Sequence, residues 1–232
     1  MNAIIASTST IHGSGYLEYL KPVLKEHFKY AKSILFIPYA RPSGLTHDEY
    51  TAKAKEGLSF LKAEVKGIHT FEDPMQAIKS AEAIFVGGGN TFLLVKTLHD
   101  LKLMQVLREV ILKSTPYLGT SAGSNICGPN MQTTNDMPIV LPASFETLGV
   151  IPFNINAHYI EEDPNSRHKG ESRRTRIKEF QNLNRINVLG LKEGSWLEAR
   201  GDKITLKGDL DAVWFEPLEN PKVLKPETIL EC

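Results

Sequence analysis

Cysteine and long apolar runs are scarce in this sequence, and each shortage excludes a class of protein. The 232 residues contain only two cysteines, Cys127 and Cys232, and their separation matches no metal-ligand spacing. We therefore expect no disulfide framework and a reducing, cytoplasmic compartment. No run approaches the roughly 20 apolar residues of a membrane-spanning helix, so no membrane association is expected.

An excess of either charge is also missing. Lysine plus arginine and aspartate plus glutamate both number 27, which leaves a net charge of zero. Nucleic-acid-binding proteins normally carry a basic excess on at least one face, so we expect no nucleic-acid partner. The length favours a single domain over residues 1–232. We predict neither a metal ion nor another cofactor.

The sequence does contain a regular alternation of short apolar runs and helical patterns. Four apolar runs predict strands, at residues 3–7, 33–38, 83–86 and 117–120. Four stretches with helical spacing alternate with them, at residues 16–30, 47–64, 91–98 and 101–113. This alternation indicates a mainly parallel sheet with helices on both faces.

The end of the chain has a different pattern. Turns separate four short apolar segments, at residues 186–191, 195–199, 203–206 and 212–215. They predict an antiparallel meander on the edge of the same sheet. We therefore predict an α/β fold, a three-layer sandwich whose mainly parallel central sheet is flanked by helices and followed by a C-terminal antiparallel meander.

The most informative motif is Gly-Thr-Ser-Ala-Gly at residues 119–123, directly after an apolar run. It has the G-x-S-x-G form of a nucleophile elbow, where a strand gives way to a helix so abruptly that the serine hydroxyl is exposed. Ser121 is therefore the candidate nucleophile, and the backbone N–H of Ala122 is a candidate oxyanion donor. Such a pattern arises by accident about one time in ten in a chain of this length, so its context must decide.

A second glycine turn, Gly-Gly-Gly-Asn-Thr at residues 87–91, ends another predicted parallel strand and so lies on the same rim. It could be a simple strand-to-helix turn with Asn90 or Thr91 as the N-cap. It matches neither nucleotide-binding glycine motif, so a phosphate loop is weakly supported. Beside an elbow, a second oxyanion donor fits better: the candidates are the Gly89 N–H for the oxyanion and Asn90 for substrate contact.

The candidate general base is His158, because it ends the apolar segment 150–157 beyond the elbow. His168 is less suitable because it lies between the cations Arg167 and Lys169, which oppose its protonation.

Two carboxylates compete to orient the imidazole. Asp136 lies in a polar loop between the elbow and His158, and Glu193 follows the strand predicted at 186–191. The sequence leaves both open. Further along, the basic run 167–176 could be a solvated face or could bind an anionic substrate group.

Five ordered segments together resemble the peptidase E family, the α-aspartyl dipeptidases. They lie at residues 87–91, 119–123, 133–140, 156–158 and 168–173. The resemblance runs the full length of the chain, including the block at 191–196. It implies a serine peptidase on a fold similar to the class I glutamine amidotransferases. Thr120 departs from the family, where tryptophan is frequent, and this affects only the expected wall of the pocket.

The resemblance also implies an activity, the hydrolysis of dipeptides with an N-terminal aspartate. Ser121 would be the nucleophile and His158 the base, and Asp136 or Glu193 would be the third member. Arg173 would hold the side-chain carboxylate of the substrate. The expected partners are small aspartyl peptides, and the chain is expected to be a monomer or a homodimer.

Two other functions remain open at this point. One is a cyanophycin-type peptidase or an esterase on the same scaffold, which would cleave other substrates with the same serine. The other is a non-catalytic module that binds a small ligand through residues 87–90.

Overall fold

Strands and helices alternate through the first half of the chain. A computed structural model describes residues 1–163, 165 and 170–230. The strands of this half are β1 (Asn2–Ala6), β2 (Ser33–Ile37), β3 (Glu64–Gly67), β4 (Ile84–Val86) and β5 (Tyr117–Thr120). The helices are α1 (Lys21–His27), α2 (His47–Gly57), α3 (Pro74–Lys79), α4 (Thr91–Asp100), α5 (Met104–Leu112) and α6 (Ala122–Asn125).

The second half is dominated by strands, with α7 (Arg173–Leu183) between the first two. The strands are β6 (Asn154–Ala157), β7 (Val188–Leu191), β8 (Trp196–Arg200), β9 (Lys203–Lys207), β10 (Ala212–Phe215), β11 (Lys222–Leu224) and β12 (Ile229–Leu230). An eight-stranded sheet has the order β12-β9-β8-β1-β5-β4-β2-β3, and a four-stranded sheet has the order β11-β10-β7-β6.

The large sheet is parallel from β1 through β5, β4 and β2 to β3. Successive side chains of β1 enter opposite layers because they alternate along a strand. Ile4 packs in the layer that contains Leu24 of α1 and Tyr50 of α2. Ile5 packs in the layer that contains Leu94 and Leu107, from α4 and α5. The predicted three-layer α/β sandwich is therefore confirmed.

The predicted C-terminal meander is divided between the two sheets, so its placement on one edge was wrong. β8 and β9 do extend the large sheet, with β8 antiparallel to β1. β7 and β10 instead pair with each other in the small sheet, where β6 and β7 are parallel. Apolar runs identify strands, but the partner of each strand depends on contacts between distant parts of the chain.

The helix predicted at 47–64 was too long. A capping box between Thr46 and Glu49 begins α2, which ends at Gly57. The chain then forms β3, in which buried Val65 alternates with exposed Glu64 and Lys66. This edge strand is too polar to stand out as an apolar run, and the sequence analysis missed both it and α3.

The helix predicted at 16–30 was also too long. Its first part is a 3₁₀ turn over Glu18–Leu20, and α1 occupies only the middle of the predicted range.

The helices α2 and α7 have 11 residues each. Within the described part of the chain, no helix combines the length and apolarity needed to cross a membrane.

A buried histidine lies at the opposite end of the parallel strands from the elbow. His27 ends α1, and its Nε2 is 2.9 Å from the carbonyl oxygen of Tyr117. Its Nδ1 is 3.0 Å from Nη1 of Arg200, so Nδ1 accepts and Nε2 donates. Burial and the Arg200 cation lower the pKa of His27 to about 3. The folded protein therefore holds this ring in its neutral form.

We predict that His27 contributes to acid destabilisation. The unfolded chain takes up a proton near pH 6.5, whereas the folded chain takes it up only near pH 3. Between these values the unfolded state binds more protons, so the free energy of unfolding should fall as the pH decreases. One proton gives a slope of about 1.4 kcal/mol per pH unit. Urea unfolding between these pH values measures it.

His27→Gln should reduce this slope, since glutamine can still donate to the Tyr117 carbonyl but does not titrate. The control is His12→Gln, because His12 is exposed. Equal slopes in the wild type and in His27→Gln would contradict the prediction.

Candidate active site

Ser121 lies in a tight turn where β5 passes directly into α6. Its φ of 53° and ψ of −109° are unfavourable for a residue with a side chain. Its N–H donates to the Ala6 carbonyl at 3.1 Å. A Cβ on Gly119 would lie 2.5 Å from the Gly123 oxygen, and one on Gly123 would lie 2.3 Å from the Val86 oxygen. Both glycines of the motif are thus required by close backbone contact.

A continuous chain of hydrogen bonds joins Ser121, His158 and Glu193. The His158 Nε2 lies 2.8 Å from Oγ of Ser121, and its Nδ1 lies 2.6 Å from Oε1 of Glu193. His158 directly follows β6, and Glu193 lies two residues beyond β7. Because β6 and β7 are parallel neighbours, their ends deliver both side chains to one place. Ser121 comes from the large sheet, so the chain of hydrogen bonds spans both sheets.

A buried serine that the sequence analysis missed supports this arrangement. Ser7 follows β1 and has no exposed surface. Its hydroxyl donates to the Leu191 carbonyl at 2.7 Å and accepts from the His158 N–H at 2.9 Å. Leu191 also accepts from the N–H of Tyr159 at 3.1 Å. The polar run that directly follows the buried strand β1 was the available signal for Ser7.

Asp136 lies elsewhere, at the start of α4. Its Oδ2 accepts from the Thr91 N–H at 2.7 Å and from the Thr134 hydroxyl at 3.0 Å. Both ring nitrogens of His158 are already occupied by Ser121 and Glu193. Of the two candidate carboxylates, the structure brings only that of Glu193 to the imidazole.

The Asn90 side chain is engaged within the protein at both of its polar atoms. Its Oδ1 accepts from the Leu93 N–H at 3.0 Å, as an N-cap of α4 does. Its Nδ2 donates to the Met137 carbonyl at 2.8 Å. Asn90 therefore joins the glycine turn to the loop that contains Asp136.

The backbone N–H groups of Gly89 and Ala122, both on this rim, have no acceptor among the described residues. Ala122 is the first residue of α6. Gly89 has a φ of 141°, and a Cβ there would lie 2.2 Å from the Ala40 oxygen. A Cβ on Gly88 would lie 3.0 Å from that of Ser121, so the glycine turn lies against the serine. Both N–H groups can therefore bind an anion.

Arg173 is the first residue of α7, and its Nη1 is buried with no hydrogen-bond partner among the described residues. It lines a cavity of about 410 Å³ together with Ile160 and Glu161. Burial lowers the pKa of Arg173, and the nearby Glu193 carboxylate opposes that shift. An unpaired guanidinium facing a cavity is suited to bind a carboxylate.

The other basic residues of this run differ from Arg173. Arg174 pairs with Glu161 at 3.0 Å, and Arg176 lies 3.8 Å from Glu171. Arg167, His168 and Lys169 lie outside the described residues.

Cys127 is not suited to nucleophilic chemistry. The side chain is fully buried, and burial raises the pKa of its thiol to about 12. Its Sγ lies 3.5 Å from the Gly123 carbonyl oxygen. Cys232 lies outside the described residues. Within the described part of the chain, no group of three or more His, Cys, Asp or Glu side chains is arranged to hold a metal ion.

Comparison with known proteins agrees with the resemblance found in the sequence. The chain is 44% identical over 228 residues to a Drosophila melanogaster protein named "Probable alpha-aspartyl dipeptidase", covering 97% of this chain and 94% of that protein. It is 44% identical over 224 residues to "Peptidase E" of Streptomyces coelicolor, covering 97% and 91%. A solved peptidase from an acI-B1 actinobacterium has the same fold, with a TM-score of 0.68 at 17% identity, over 100% of this chain and 96% of that one.

These relatives confirm the predicted membership in the peptidase E group and the prediction of a peptide hydrolase. The family model described as "Peptidase family S51" matches residues 3–207, which is most of the chain. The chain therefore belongs to peptidase family S51.

Proposed function

We propose that this protein is a serine dipeptidase that hydrolyses dipeptides with an N-terminal aspartate. The observation that carries the proposal is the chain of hydrogen bonds from Ser121 through His158 to Glu193. A hydroxyl, an imidazole and a carboxylate in this order are the groups that acyl transfer through a serine requires. The name of the 44% identical Drosophila melanogaster relative, "Probable alpha-aspartyl dipeptidase", supports the aspartyl dipeptide as substrate.

The reaction proceeds in two halves. Nε2 of His158 takes the proton of the Ser121 hydroxyl while Oγ attacks the peptide carbonyl carbon. The imidazolium then gives that proton to the leaving nitrogen, the C–N bond breaks, and the second residue departs as a free amino acid. A water molecule then attacks the carbonyl carbon of the acyl-enzyme ester. His158 takes a proton from the water and gives it to Oγ of Ser121 as the ester bond breaks, and free aspartate is released.

Two N–H groups stabilise the tetrahedral intermediate. Ala122 directly follows Ser121 and Gly89 belongs to the glycine turn that lies against it, and neither N–H has an acceptor among the described residues. Loss of one such donor typically lowers turnover by about 10²–10³-fold. The negative charge that develops on the carbonyl oxygen is bound where both N–H groups converge.

Glu193 is the third member of the triad in this proposal. Its carboxylate holds the imidazole in the tautomer that presents an unprotonated Nε2 to Ser121, and it stabilises the imidazolium. Asp136 acts instead on the N-terminus of α4, through its hydrogen bond with the Thr91 N–H.

Arg173 selects the substrate. Its guanidinium can bind the aspartyl side-chain carboxylate through two parallel hydrogen bonds, which asparagine cannot reproduce. Glutamate carries the same charge but has one more methylene, which a short pocket excludes by length.

The first test concerns the nucleophile. Ser121→Ala should lower the release of free aspartate from Asp-Leu by about 10³–10⁶-fold, because no other group can form the acyl-enzyme. Amino-acid analysis of timed reactions measures the product, and circular dichroism checks that the variant is folded. Wild-type rates in a folded Ser121→Ala enzyme would refute the mechanism.

The second test separates the two carboxylates. Glu193→Gln removes the charge that stabilises the imidazolium and should lower kcat by about 10²–10⁴-fold. Asp136→Asn keeps an oxygen acceptor for the Thr91 N–H and should lower kcat much less. Steady-state kinetics with Asp-Leu measure both variants. A greater loss of kcat in Asp136→Asn than in Glu193→Gln would reverse the assignment.

The third test concerns specificity. Arg173→Gln should lower kcat/KM for Asp-Leu by about 10²-fold, the expected cost of a lost charged hydrogen bond, and should leave kcat/KM for Asn-Leu nearly unchanged. The control is Arg174→Gln, since Arg174 is a neighbouring arginine already paired with Glu161. An unchanged ratio of Asp-Leu to Asn-Leu in Arg173→Gln would show that another residue selects aspartate.

A further inference from the structure

A buried tyrosine on α2 contacts the glycine turn. Tyr50 has no exposed surface, and its hydroxyl donates to the Gly88 carbonyl at 3.0 Å. A Cβ on Gly87 would lie 2.5 Å from this hydroxyl oxygen, so the end of the ring fills the space beneath the turn. No step of the proposed reaction uses Tyr50 directly.

The hydrogen bond restrains the peptide group that joins Gly88 to Gly89. The Gly88 carbonyl and the Gly89 N–H belong to the same trans peptide, so they point in opposite directions. Glycines flank this peptide on both sides, and without a Cβ neither one opposes its rotation. The Tyr50 hydroxyl therefore determines which way the Gly89 N–H points.

The tyrosine ring is itself immobilised. It packs edge-on against Phe36 of β2, with the ring centroids 4.9 Å apart and the planes at 84°. The Arg41 guanidinium lies over the Tyr50 ring, 4.6 Å from the ring centroid. Because the ring is held against the parallel sheet, its hydroxyl holds the Gly88 carbonyl in one position. The same hydrogen bond also polarises the N–H of that peptide.

We propose that Tyr50 is a positioning residue for the oxyanion hole: its hydroxyl fixes the Gly88–Gly89 peptide so that the Gly89 N–H faces the tetrahedral intermediate. Tyr50 touches neither the substrate nor the reacting atoms. The inference rests on the proposed function, because it assigns Gly89 a role only in a serine-dependent acyl transfer.

The experiment compares Tyr50→Phe with the wild-type enzyme on Asp-Leu. Phenylalanine keeps the ring and removes only the hydroxyl, so the peptide becomes free to rotate. We expect kcat to fall about 10–100-fold, less than complete loss of the donor would cause, and KM to change little. The control is Thr147→Val, which removes a partly buried hydroxyl that donates to the Gly128 carbonyl at 2.6 Å, outside both the glycine turn and the elbow.

A second measurement isolates the oxyanion. A boronic acid analogue of aspartate forms a tetrahedral adduct with a serine and places an oxygen in the oxyanion hole, whereas free aspartate does not. In Tyr50→Phe the inhibition constant of the boronate should rise by the factor by which kcat falls, while inhibition by aspartate stays the same.

Replacing Tyr50 with p-aminophenylalanine, which restores a donor, should recover kcat, and this also tests the proposal if Tyr50→Phe does not fold.

The outcomes distinguish this inference from the proposed function. If the wild type cleaves Asp-Leu and Tyr50→Phe retains its kcat, or if Thr147→Val loses as much kcat as Tyr50→Phe, the assignment of Tyr50 is wrong and the proposed function stands. If p-aminophenylalanine at this position folds but does not recover kcat, the assignment is also wrong. If the wild type releases no aspartate, the proposed function fails and the role of Tyr50 fails with it.

Discussion

The end of β1 is the common support of the candidate active site. The Ala6 carbonyl accepts from the N–H of Ser121 at 3.1 Å. The next residue, Ser7, accepts from the N–H of His158 at 2.9 Å and donates to Leu191, two residues before Glu193, at 2.7 Å. Ala6 and Ser7, at the end of β1, are thus hydrogen-bonded to the backbone of all three segments that carry Ser121, His158 and Glu193. Because these segments come from two sheets, their alignment depends on this junction.

The junction also explains how strained backbone persists at the site. Ser121 has a φ of 53° and His158 a φ of 56°, values that cost side-chain-bearing residues about 1–3 kcal/mol each. In both residues the N–H donates to a residue at the end of β1, Ala6 or Ser7, and neither of these has any exposed surface. The sheet therefore offsets the strain, and the two side chains are aimed at each other before any substrate binds.

Hydrogen bonds with three other segments of the chain hold the glycine turn. The Tyr50 hydroxyl donates to the Gly88 carbonyl, and the N–H of Asn90 donates to the Ala40 carbonyl at 2.7 Å. The Asp136 carboxylate accepts from the N–H of Thr91, directly after the turn. A turn of three glycines would otherwise be the most adaptable part of the rim. These contacts make it a fixed partner for Ser121.

Local patterns were enough to predict much of the fold and part of the candidate site. The alternation of apolar runs with helical spacing predicted the parallel sheet, and β5 has the bounds predicted for it. The G-x-S-x-G pattern predicted the strand-to-helix turn at Ser121, because both glycines are required by backbone contacts within that turn and with β4. His158 could be picked out because a histidine that ends an apolar segment is a local feature too.

The tertiary structure decided which distant residues meet. The sequence left Asp136 and Glu193 equivalent, and the parallel pairing of β6 with β7 brings Glu193 to His158. The polar run after β1 was the only local signal for Ser7, and Tyr50 had none, since a buried hydroxyl is informative only once its acceptor is known. Strand order and hydrogen-bond partners depend on contacts between residues far apart in the chain, whereas periodicity and glycine spacing report only on neighbours. The sequence alone therefore determined many of the strands and helices and the serine turn. The order of the strands within the two sheets, and the contacts between the sheets, decided the rest of the site.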